Sequence, residues 1–274
     1  MKQPLAFVKM HGAGNDFVMI DGRGLPAAGL DAARIAALCD RRRGVGGDGL
    51  IIVAPDRDHD FAMTYHNADG GEADMCGNGA RCAVAFARAI GLARGDTCVF
   101  RTRSGPVTGR REGGEISVQL TPPRDLRLQL DLGPDLPFPA AHFVNTGVPH
   151  LVVPVDDVDT VDPGRWGPVL RRHPAGGPAG ANVNWVSPGG APGAPHRLRT
   201  YERGVEGETL ACGTGASAVA FVLCRLGLAV SPVTLRTRGD DTLTIALEET
   251  PDGPRLHLRG PAAVAFTGEV ALDD

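Results

Sequence analysis

The chain contains an internal repeat, and this repeat constrains its possible folds more than any other sequence feature. The run T-Y-H-N-A-D-G-G-E-A-D-M-C-G-N-G-A, from Thr64, aligns without a gap with T-Y-E-R-G-V-E-G-E-T-L-A-C-G-T-G-A, from Thr200, 136 positions later (200 − 64). Farther along, R-T-R from Arg101 matches R-T-R from Arg236 after one residue of slippage. Identity at so long a fixed period indicates two copied domains rather than a solenoid of short repeats.

Each copy predicts the same order of secondary structure. A strand leads through a turn with glycine and glutamate into Cys-Gly-x-Gly-Ala, and an apolar helix follows, at 80–90 in the first copy and 216–226 in the second. Gly91 and Gly227 come directly after these helices, as is typical of a helix C-terminus. Both helices are apolar on nearly every face, so each should be buried in its own domain. The predicted fold class is therefore α/β (α+β), with two pseudo-symmetric domains from an internal duplication.

The length of 274 residues suits two domains of ordinary size. A proline-rich stretch from Thr121 to Ala140 is predicted to link them. The run V-A-F-T-G-E-V from Val264 resembles a strand, lies beyond the second copy, and is predicted to return to the first domain. The predicted boundaries are residues 1–121 plus 262–274 for the first domain and residues 122–261 for the second.

Composition and charge argue against several functional classes. Lys and Arg total 28 against 32 Asp and Glu, a net charge of −4, and aromatic residues make up only 5%, so no nucleic-acid partner is predicted. Lys2 and Lys9 are the only lysines and no Gly-Lys pair occurs, which argues against a pyridoxal phosphate Schiff base and a Walker loop. The apolar run before Lys9 is too short for a signal peptide or a membrane span, so a cytoplasmic protein without a membrane partner is predicted.

The six cysteines are predicted to be free thiols, because a cytoplasmic protein keeps its cysteines reduced. The spacing of Cys76 and Cys82 is not a common zinc spacing and no H-E-x-x-H occurs, so no metal is predicted, although spacing alone leaves a Cys/His site between domains open. G-V-G-G-D-G at 44–49 follows a predicted helix and precedes a predicted strand, the reverse of a dinucleotide site, so it is interpreted as a tight turn. Four cysteines without a counterpart in the other copy are interpreted as small buried apolar residues: Cys39, Cys82, Cys98 and Cys224.

Cys76 and Cys212 are the cysteines present in both copies, and each precedes the predicted helix of its copy. A structural interpretation is that Gly-x-Gly forms a tight turn and the cysteine packs beside it. A functional interpretation is that the thiol meets the unpaired N–H groups and the positive dipole end of a helix, which favour thiolate. The glycines leave these N–H groups open to a ligand oxyanion. We favour the functional interpretation, with the two thiols facing each other across an interdomain cleft, because duplication of the whole motif is otherwise hard to explain.

Two thiols on opposite sides of one carbon suggest a racemase or epimerase. One thiolate removes a proton from one face, and the other thiol returns a proton to the opposite face, without a cofactor. A thiolate on one side disfavours a second thiolate nearby, which helps to keep the pair in opposite protonation states. The N–H groups at both helix starts would stabilise charge that develops on a substrate carboxylate as the α-proton leaves.

Four segments resemble the diaminopimelate epimerase family, in the same order and across nearly the whole chain. They are K-M-H-G-A-G-N-D-F-V from Lys9, N-A-D-G-G-E-A-D-M-C-G-N-G-A-R-C from Asn67, G-V-P-H from Gly147, and Y-E-R-G-V-E-G-E-T-L-A-C-G-T-G-A from Tyr201. The resemblance implies a curled mixed sheet around a central helix in each domain and an active site in the cleft between them. It also implies an isomerase, usually a homodimer, that interconverts LL- and meso-2,6-diaminopimelate in lysine and peptidoglycan precursor biosynthesis, without cofactor or metal.

The resemblance also implies roles for individual residues of this chain. Cys76 and Cys212 would be the acid/base pair, and His150 and Glu202 would lie beside the thiols and tune them. The reacting carboxylate would be bound by N–H groups of Gly77, Asn78, Gly213 and Thr214. The ammonium groups and the distal carboxylate would be bound by Asn15, Asn67, Asn182, Glu202 and Arg203. Arg203 is also supported by chemistry, because a dianionic substrate calls for a bidentate cation.

The chain departs from the family pattern at three positions. Val148 stands where the pattern has asparagine, and Gly49 stands where it has glutamine. The distal end of the substrate is therefore expected to be bound differently here than in the family pattern. Phe266 stands where a dimer-contact tyrosine is expected.

Two alternatives remain open from the sequence. One is another two-thiol racemase, for proline, hydroxyproline or a basic amino acid. Proline racemases carry Cys-Gly-His-Gly in the first motif, whereas Asn78 takes the histidine's place here. The other is a redox or metal-binding protein in which Cys76 and Cys212 form a switch.

Overall fold

The computed structural model describes residues 4–25, 29–191 and 193–271, which contain four α-helices and eighteen strands. The helices are α1 (Ala32–Cys39), α2 (Gly77–Ala89), α3 (Pro163–Arg171) and α4 (Gly213–Arg225). The first strands are β1 (Leu5–Gly12), β2 (Asn15–Asp21), β3 (Gly49–Ala54), β4 (Phe61–Asn67), β5 (Glu72–Ala73), β6 (Thr97–Thr102), β7 (Gly105–Glu112), β8 (Glu115–Gln119) and β9 (Arg124–Leu130). The remaining strands are β10 (Ala141–Asn145), β11 (Pro149–Pro154), β12 (Asn182–Ser187), β13 (His196–Glu202), β14 (Gly207–Thr209), β15 (Val233–Arg236), β16 (Thr242–Thr250), β17 (Gly253–Gly260) and β18 (Ala263–Val270).

The chain divides into two compact units. Unit 1 comprises Met1–Val118 and Gly260–Asp274, and unit 2 comprises Gln119–Arg259. In unit 1 the strands run in the order β18-β1-β2-β3-β4-β6-β7-β8, and α2 packs against β1 to β4 and β7. In unit 2 they run in the order β9-β10-β11-β12-β13-β15-β16-β17, and α4 packs against β10 to β12, β15 and β16.

The two sheets share one pattern of strand directions. From β18 to β8 in unit 1 and from β9 to β17 in unit 2, successive pairs are antiparallel, antiparallel, parallel, antiparallel, parallel, antiparallel and antiparallel. Each unit thus contains a mixed sheet with one long helix packed on it. The prediction of a duplicated, pseudo-symmetric α+β fold is confirmed.

The proline-rich stretch predicted to be a linker is partly a strand. β9 (Arg124–Leu130) lies inside it and pairs antiparallel with β10. By its position in the sheet, β9 is the counterpart of β18, which pairs with β1 in unit 1. The linker prediction was therefore wrong for 124–130, because prolines near a strand end mark the turn and not the strand that follows it.

Both long helices begin earlier than predicted. α2 begins at Gly77 and α4 at Gly213, three residues before the predicted starts, and both Cys-Gly-x-Gly motifs therefore enter the first helical turn. Glycine is unfavourable in a helix interior but is tolerated in the first turn, so a helix that neighbouring residues stabilise can begin at a glycine. Each motif cysteine consequently occupies the N-cap position, directly before the helix.

Each unit has an apolar core of its own that includes residues of a shorter helix, α1 in unit 1 and α3 in unit 2. In unit 1 the buried cluster includes Val18, Ile20, Ile35, Leu38 and Leu50. In unit 2 it includes Leu151, Leu170, Val183, Trp185 and Tyr201. Truncating one such side chain to alanine typically lowers the free energy of unfolding by about 2–5 kcal/mol, so each core holds its shorter helix against the sheet.

Candidate active site

Cys76 lies at the N-terminus of α2 with the geometry of an N-cap residue. Its backbone is extended (φ −135°, ψ 120°), and its carbonyl oxygen accepts the first helical hydrogen bond from Ala80 N at 2.7 Å. Its Sγ accepts from Gly79 N and donates to Asn15 Oδ1, both at 3.5 Å. The N–H groups of Gly77 and Asn78 belong to the first helical turn, which leaves them available to a ligand. The sulfur and two open N–H donors thus share one helix end.

Asn15 is held in one orientation beside Cys76. Its Nδ2 donates to Asp48 Oδ2 at 2.5 Å, so its Oδ1 faces Cys76. Asp48 is in turn held by Arg41 at 2.8 Å, and Arg41 also pairs with Asp16 at 2.6 Å. The carboxylate of Asp48 therefore determines that Asn15 presents an acceptor, and not a donor, to the thiol.

Asp16 is half-buried and joins this network to the buried side chain of Lys9. Lys9 Nζ lies 2.7 Å from Asp16 Oδ2 and also donates to the carbonyl oxygen of Gly46. Burial by itself would raise the pKa of Asp16, but hydrogen bonds and charges from Arg41 and Lys9 outweigh it and lower the pKa to about 2. Asp16 is therefore ionised at neutral pH.

Asn78 and Asn67 lie in different surroundings within unit 1. Asn78 is buried, and its Nδ2 donates to Asn15 Oδ1 at 3.4 Å. Its Oδ1 is also buried and has no hydrogen-bond partner among the described residues. Asn67 is the exposed last residue of β4, where its N–H donates to Gly71 O.

Cys212 repeats the N-cap geometry at the start of α4. Its backbone is extended (φ −126°, ψ 110°), and its carbonyl oxygen accepts from Ala216 N at 2.9 Å. Its Sγ lies 3.5 Å from the hydroxyl of Thr214, and either atom can donate. The carbonyl oxygen of Thr214 accepts from Thr146 Oγ1 at 2.9 Å, which ties the first turn of α4 to the chain beyond β10. The N–H groups of Gly213 and Thr214 are again first-turn donors.

His150 lies on β11 and is completely buried. Burial, with a smaller contribution from the positive charge of Arg203, lowers the pKa of His150 to about 3. Its ring is therefore neutral at physiological pH. Its Nδ1 lies 3.1 Å from the side-chain amide of Asn184, whereas its Nε2 is buried without a partner among the described residues.

Asn182, Glu202 and Arg203 lie near the ends of β12 and β13. Asn182 is paired with His150 in the register of β11 and β12, and its Oδ1 accepts from Arg203 N at 2.8 Å. Glu202 Oε1 accepts from Thr209 Oγ1 at 2.6 Å. The guanidinium of Arg203 donates to Ala179 O at 3.5 Å. Unit 2 therefore gathers His150, Asn182 and Arg203, while Cys76, Asn15 and Asn78 gather in unit 1.

The cysteines outside the repeated motif lack such surroundings. All six cysteines are free thiols, and burial raises the pKa of Cys39 and Cys98 to about 11 and that of Cys82 to about 12. Burial also raises the pKa of Cys224, which is half-buried. High thiol pKa values make these side chains poor nucleophiles and bases at neutral pH. Their interpretation as structural residues agrees with these positions.

Sequence reasoning missed Asp48, Asn184, Thr146 and Thr200. Asp48 lies in the glycine-rich turn before β3, and the sequence there indicates only a turn. Asn184 is two residues from Asn182 on β12, and alternate strand residues share a face, so this N-x-N spacing could have revealed a second polar residue beside the site. Thr200 is part of the repeat but gave no sign of a polar role, because threonine is common in strands, and Thr146, in the turn after β10, gave no signal.

The structure accounts for one departure from the family pattern. A Cβ atom at Gly49 would overlap the carbonyl oxygen of His66 on the neighbouring strand, so glutamine does not fit there without movement of β4. Val148 is half-buried, and its carbonyl oxygen accepts from Thr146 N at 3.2 Å. Phe266 is 49% exposed on β18 and packs edge-to-face with Phe7, at 5.9 Å between ring centroids.

Comparison with known proteins gives a consistent result. The family model described as "Diaminopimelate epimerase" matches residues 7–125 and 142–263. The chain is 42% identical to the diaminopimelate epimerase of Gemmatimonas aurantiaca, over 97% of this chain and 99% of the relative. It is 40% identical to the diaminopimelate epimerase of Aquifex aeolicus, over 97% of this chain and 98% of the relative.

Solved structures of more distant proteins share the fold. A phenazine biosynthesis protein of the PhzF family from Bacillus anthracis superposes with a TM-score of 0.77 at 16% identity, covering 99% of this chain and 100% of that one. A hydroxyproline epimerase from Agrobacterium vitis superposes with a TM-score of 0.68 at 18% identity, covering 100% and 94%. Within residues 4–25, 29–191 and 193–271, no helix is long and apolar enough to cross a membrane. The same residues contain no group of three or more His, Cys, Asp or Glu side chains placed to hold a metal ion.

Proposed function

The chain belongs to the diaminopimelate epimerase family, and we propose that it interconverts LL- and meso-2,6-diaminopimelate through Cys76 and Cys212, without a cofactor. This isomerase activity belongs to lysine and peptidoglycan precursor biosynthesis. The observation that carries the mechanism is that both copied motifs place their cysteine at a helix N-cap, beside open first-turn N–H groups.

The proposed reaction is a proton transfer across one carbon. One motif cysteine, as thiolate, takes the α-proton from one face of the substrate and becomes a thiol. The other motif cysteine, as thiol, donates its proton to the opposite face and becomes a thiolate. The substrate leaves with inverted configuration and with all its atoms, and proton exchange with water returns the enzyme to its first state. The proposal requires that both sulfur atoms reach the α-carbon of one substrate molecule.

The reacting carboxylate is proposed to bind the N–H groups of Gly77, Asn78, Gly213 and Thr214. Loss of the α-proton moves negative charge onto this carboxylate, and donors that are already oriented stabilise that charge more in the transition state than in the bound substrate. Such fixed donors would supply part of what a pyridoxal cofactor supplies in other racemases.

The rest of the substrate is proposed to bind polar side chains from both units. Arg203 is proposed to bind the distal carboxylate, because guanidinium binds carboxylate in a bidentate manner. Amide and carboxylate oxygens suit ammonium groups, and we assign this role to Asn15, Asn67, Asn182 and Glu202. His150 and Glu202 are proposed to lie beside the thiols. We also propose a homodimer with Phe266 at its interface, and a cytoplasmic location.

Turnover of LL-diaminopimelate in deuterated water, with pyridoxal phosphate absent, tests this function. We expect deuterium at one α-carbon of the meso product, and a loss of activity of at least about 10³-fold in Cys76→Ala and in Cys212→Ala. Cys224→Ala is the matched control, because Cys224 lies farther along the same helix as Cys212. Full activity in either single motif variant would overturn the two-thiol mechanism. Turnover of proline or hydroxyproline in place of diaminopimelate would overturn the substrate assignment.

A further inference from the structure

We propose that Asn184 fixes the proton of His150 on Nε2 and thereby makes His150 a hydrogen-bond donor, rather than a base, in the epimerase site. Asn184 is a positioning residue in this scheme, because it acts through His150. Its role in turnover rests on the function proposed above, whereas its effect on the His150 proton does not.

The carbonyl oxygen of Leu151 determines which way the Asn184 amide points. Asn184 is completely buried on β12, and its Nδ2 lies 3.0 Å from Leu151 O. A backbone carbonyl oxygen can only accept a hydrogen bond, so the NH₂ group of Asn184, and not its oxygen, must face Leu151. On the other side, Asn184 Oδ1 accepts from the hydroxyl of Thr200 at 3.0 Å. The amide orientation therefore follows from its neighbours and does not depend on an arbitrary choice of oxygen and nitrogen.

The same NH₂ group also faces His150 Nδ1 at 3.1 Å. Because that position of the ring meets a donor, Nδ1 must accept, and a neutral ring then carries its proton on Nε2. Burial of the whole ring disfavours the charged form, which agrees with the low pKa of His150. Nε2–H is consequently a buried donor without a partner among the described residues. It can donate to an anionic or carbonyl acceptor, but it cannot take up the substrate's proton.

Asn184 also contacts the helix that begins at Cys212. A Cβ atom at Gly215 would overlap Asn184 Oδ1, so the second glycine of the motif lets the first turn of α4 lie directly against this amide. One side chain thus joins His150 on β11, Thr200 on β13 and the N-terminus of α4. A change in its donor pattern should therefore reach both the histidine and the thiol of unit 2.

The assignment of the His150 proton to Nε2 can be tested on the wild-type chain, without any variant. In ¹⁵N-histidine spectra recorded from pH 5 to pH 8, we expect His150 to remain neutral, with its proton on Nε2 and none on Nδ1. A proton on Nδ1, or a charged ring at pH 7, would overturn the proposal. This measurement requires no turnover, so its outcome is independent of whether the epimerase function is correct.

Asn184→Asp and Thr200→Val separate the proton effect from a purely structural one. Ionised aspartate keeps the shape of the side chain but cannot donate, so we expect the proton to move to Nδ1 or the ring to become charged once the introduced carboxyl is ionised. Thr200→Val removes a bond from the same network but leaves Leu151 O to orient the amide, so we expect the wild-type proton position. Unchanged His150 spectra in a folded Asn184→Asp variant, at a pH where the introduced carboxyl is ionised, would contradict the assignment. If that variant does not fold, the wild-type spectra and Thr200→Val still decide the assignment.

Kinetics of the same two variants test the role in the reaction. In Asn184→Asp we expect kcat to fall at least about tenfold, KM to change less than about threefold, and the pH profile of kcat to gain an ionisation that the wild-type profile lacks. In Thr200→Val we expect no added ionisation. Equal losses with unaltered profiles in both variants would mean that Asn184 is only structural. A shifted His150 proton with wild-type kcat would show that His150 takes no part in the reaction.

Discussion

The N-termini of α2 and α4 begin with nearly the same five residues, yet they rest on different surroundings. In unit 1, a Cβ atom at Gly79 would lie 2.8 Å from Ile51 Cδ1, so this helix start packs on an apolar side chain. In unit 2, the matching Gly215 packs on the buried amide of Asn184. Duplication therefore preserved the helix start with its N–H donors, while the layer beneath it became apolar in one copy and polar in the other.

The partners of the two thiols differ in the same way. Cys76 meets a fixed donor, Gly79 N, and a fixed acceptor, Asn15 Oδ1, whose orientation is determined by Asp48. Cys212 meets the hydroxyl of Thr214, which can rotate to accept or to donate. An epimerase needs opposite protonation states on its two thiols, and unequal partners provide a physical basis for that inequality.

Substitution of the second glycine in each motif should give the largest difference between the units. Any gain in helix propensity from alanine should be the same at these two first-turn positions, so the difference between the variants reports on the neighbouring side chain. In Gly215→Ala the new methyl overlaps a buried, fully bonded amide, and we expect an overpacking loss of about 2–3 kcal/mol and a fall in kcat/KM of about 100-fold.

In Gly79→Ala the clash is with a terminal methyl that can turn away, so we expect a loss of no more than about 1 kcal/mol. Urea unfolding followed by circular dichroism measures both variants. Equal losses would show that the polar and apolar layers beneath the helices are equivalent.

Acid should weaken unit 2 before unit 1. The pKa of His150 is lowered to about 3 from an ordinary value of 6.5, so the unfolded chain takes up a proton below about pH 6.5 that the folded chain excludes. Stability should fall by about 1.4 kcal/mol for each pH unit in that window. The pKa of Asp16 is lowered to about 2 from 3.8, so its contribution to stability is lost only as the pH falls between those two values.

Amide hydrogen exchange, corrected for its intrinsic pH dependence, distinguishes the two units between pH 7 and pH 4.5. We expect protection to fall first in β11, β12 and α4, and His150→Gln to remove much of that fall. Earlier loss of protection in β1, β2 and α2 would contradict the assigned roles of His150 and Asp16.

Asp48→Asn should weaken the fixed orientation of Asn15. The substituted amide can donate as well as accept, so Asn15 can turn its own amide and present Nδ2 to Cys76. We expect kcat/KM to fall by about tenfold, or about 1.4 kcal/mol, with little change in the free energy of unfolding. Asp240→Asn, which removes an exposed ion pair with Arg236 in unit 2, serves as the control.

Thr214→Val should have the smallest effect, because the hydroxyl beside Cys212 is a rotatable partner. We expect a fall in kcat/KM of about threefold to tenfold, with recovery in Thr214→Ser, which restores the hydroxyl. A larger fall in kcat/KM in Thr214→Val than in Asp48→Asn would reverse this comparison. The Thr214 hydroxyl beside Cys212 would then matter more than the oriented amide of Asn15 beside Cys76.

The repeat predicted the duplicated fold, the two buried helices and the special position of Cys76 and Cys212, because all of these follow from local pattern at a fixed period. It did not predict β9, whose pairing with β10 is set by the sheet and whose side chains are largely exposed. Nor did it reveal Asn184, whose importance comes from Leu151 O, Thr200 and Gly215, which are separated along the chain. Polar residues of this kind become visible only when the strands are placed side by side.

The two-thiol mechanism is tested most directly by the stereochemistry of α-proton exchange in the single cysteine variants. A remaining thiol can remove and return a proton on its own face, so each variant should exchange deuterium at one configuration without epimerising it. Cys76→Ala and Cys212→Ala should therefore label centres of opposite configuration. In deuterated water, one variant should exchange the α-proton of an L centre of LL-diaminopimelate, and the other should exchange that of the D centre of meso-diaminopimelate. Exchange of the same centre by both variants, or continued epimerisation by either one, would contradict the assignment of one thiol to each face.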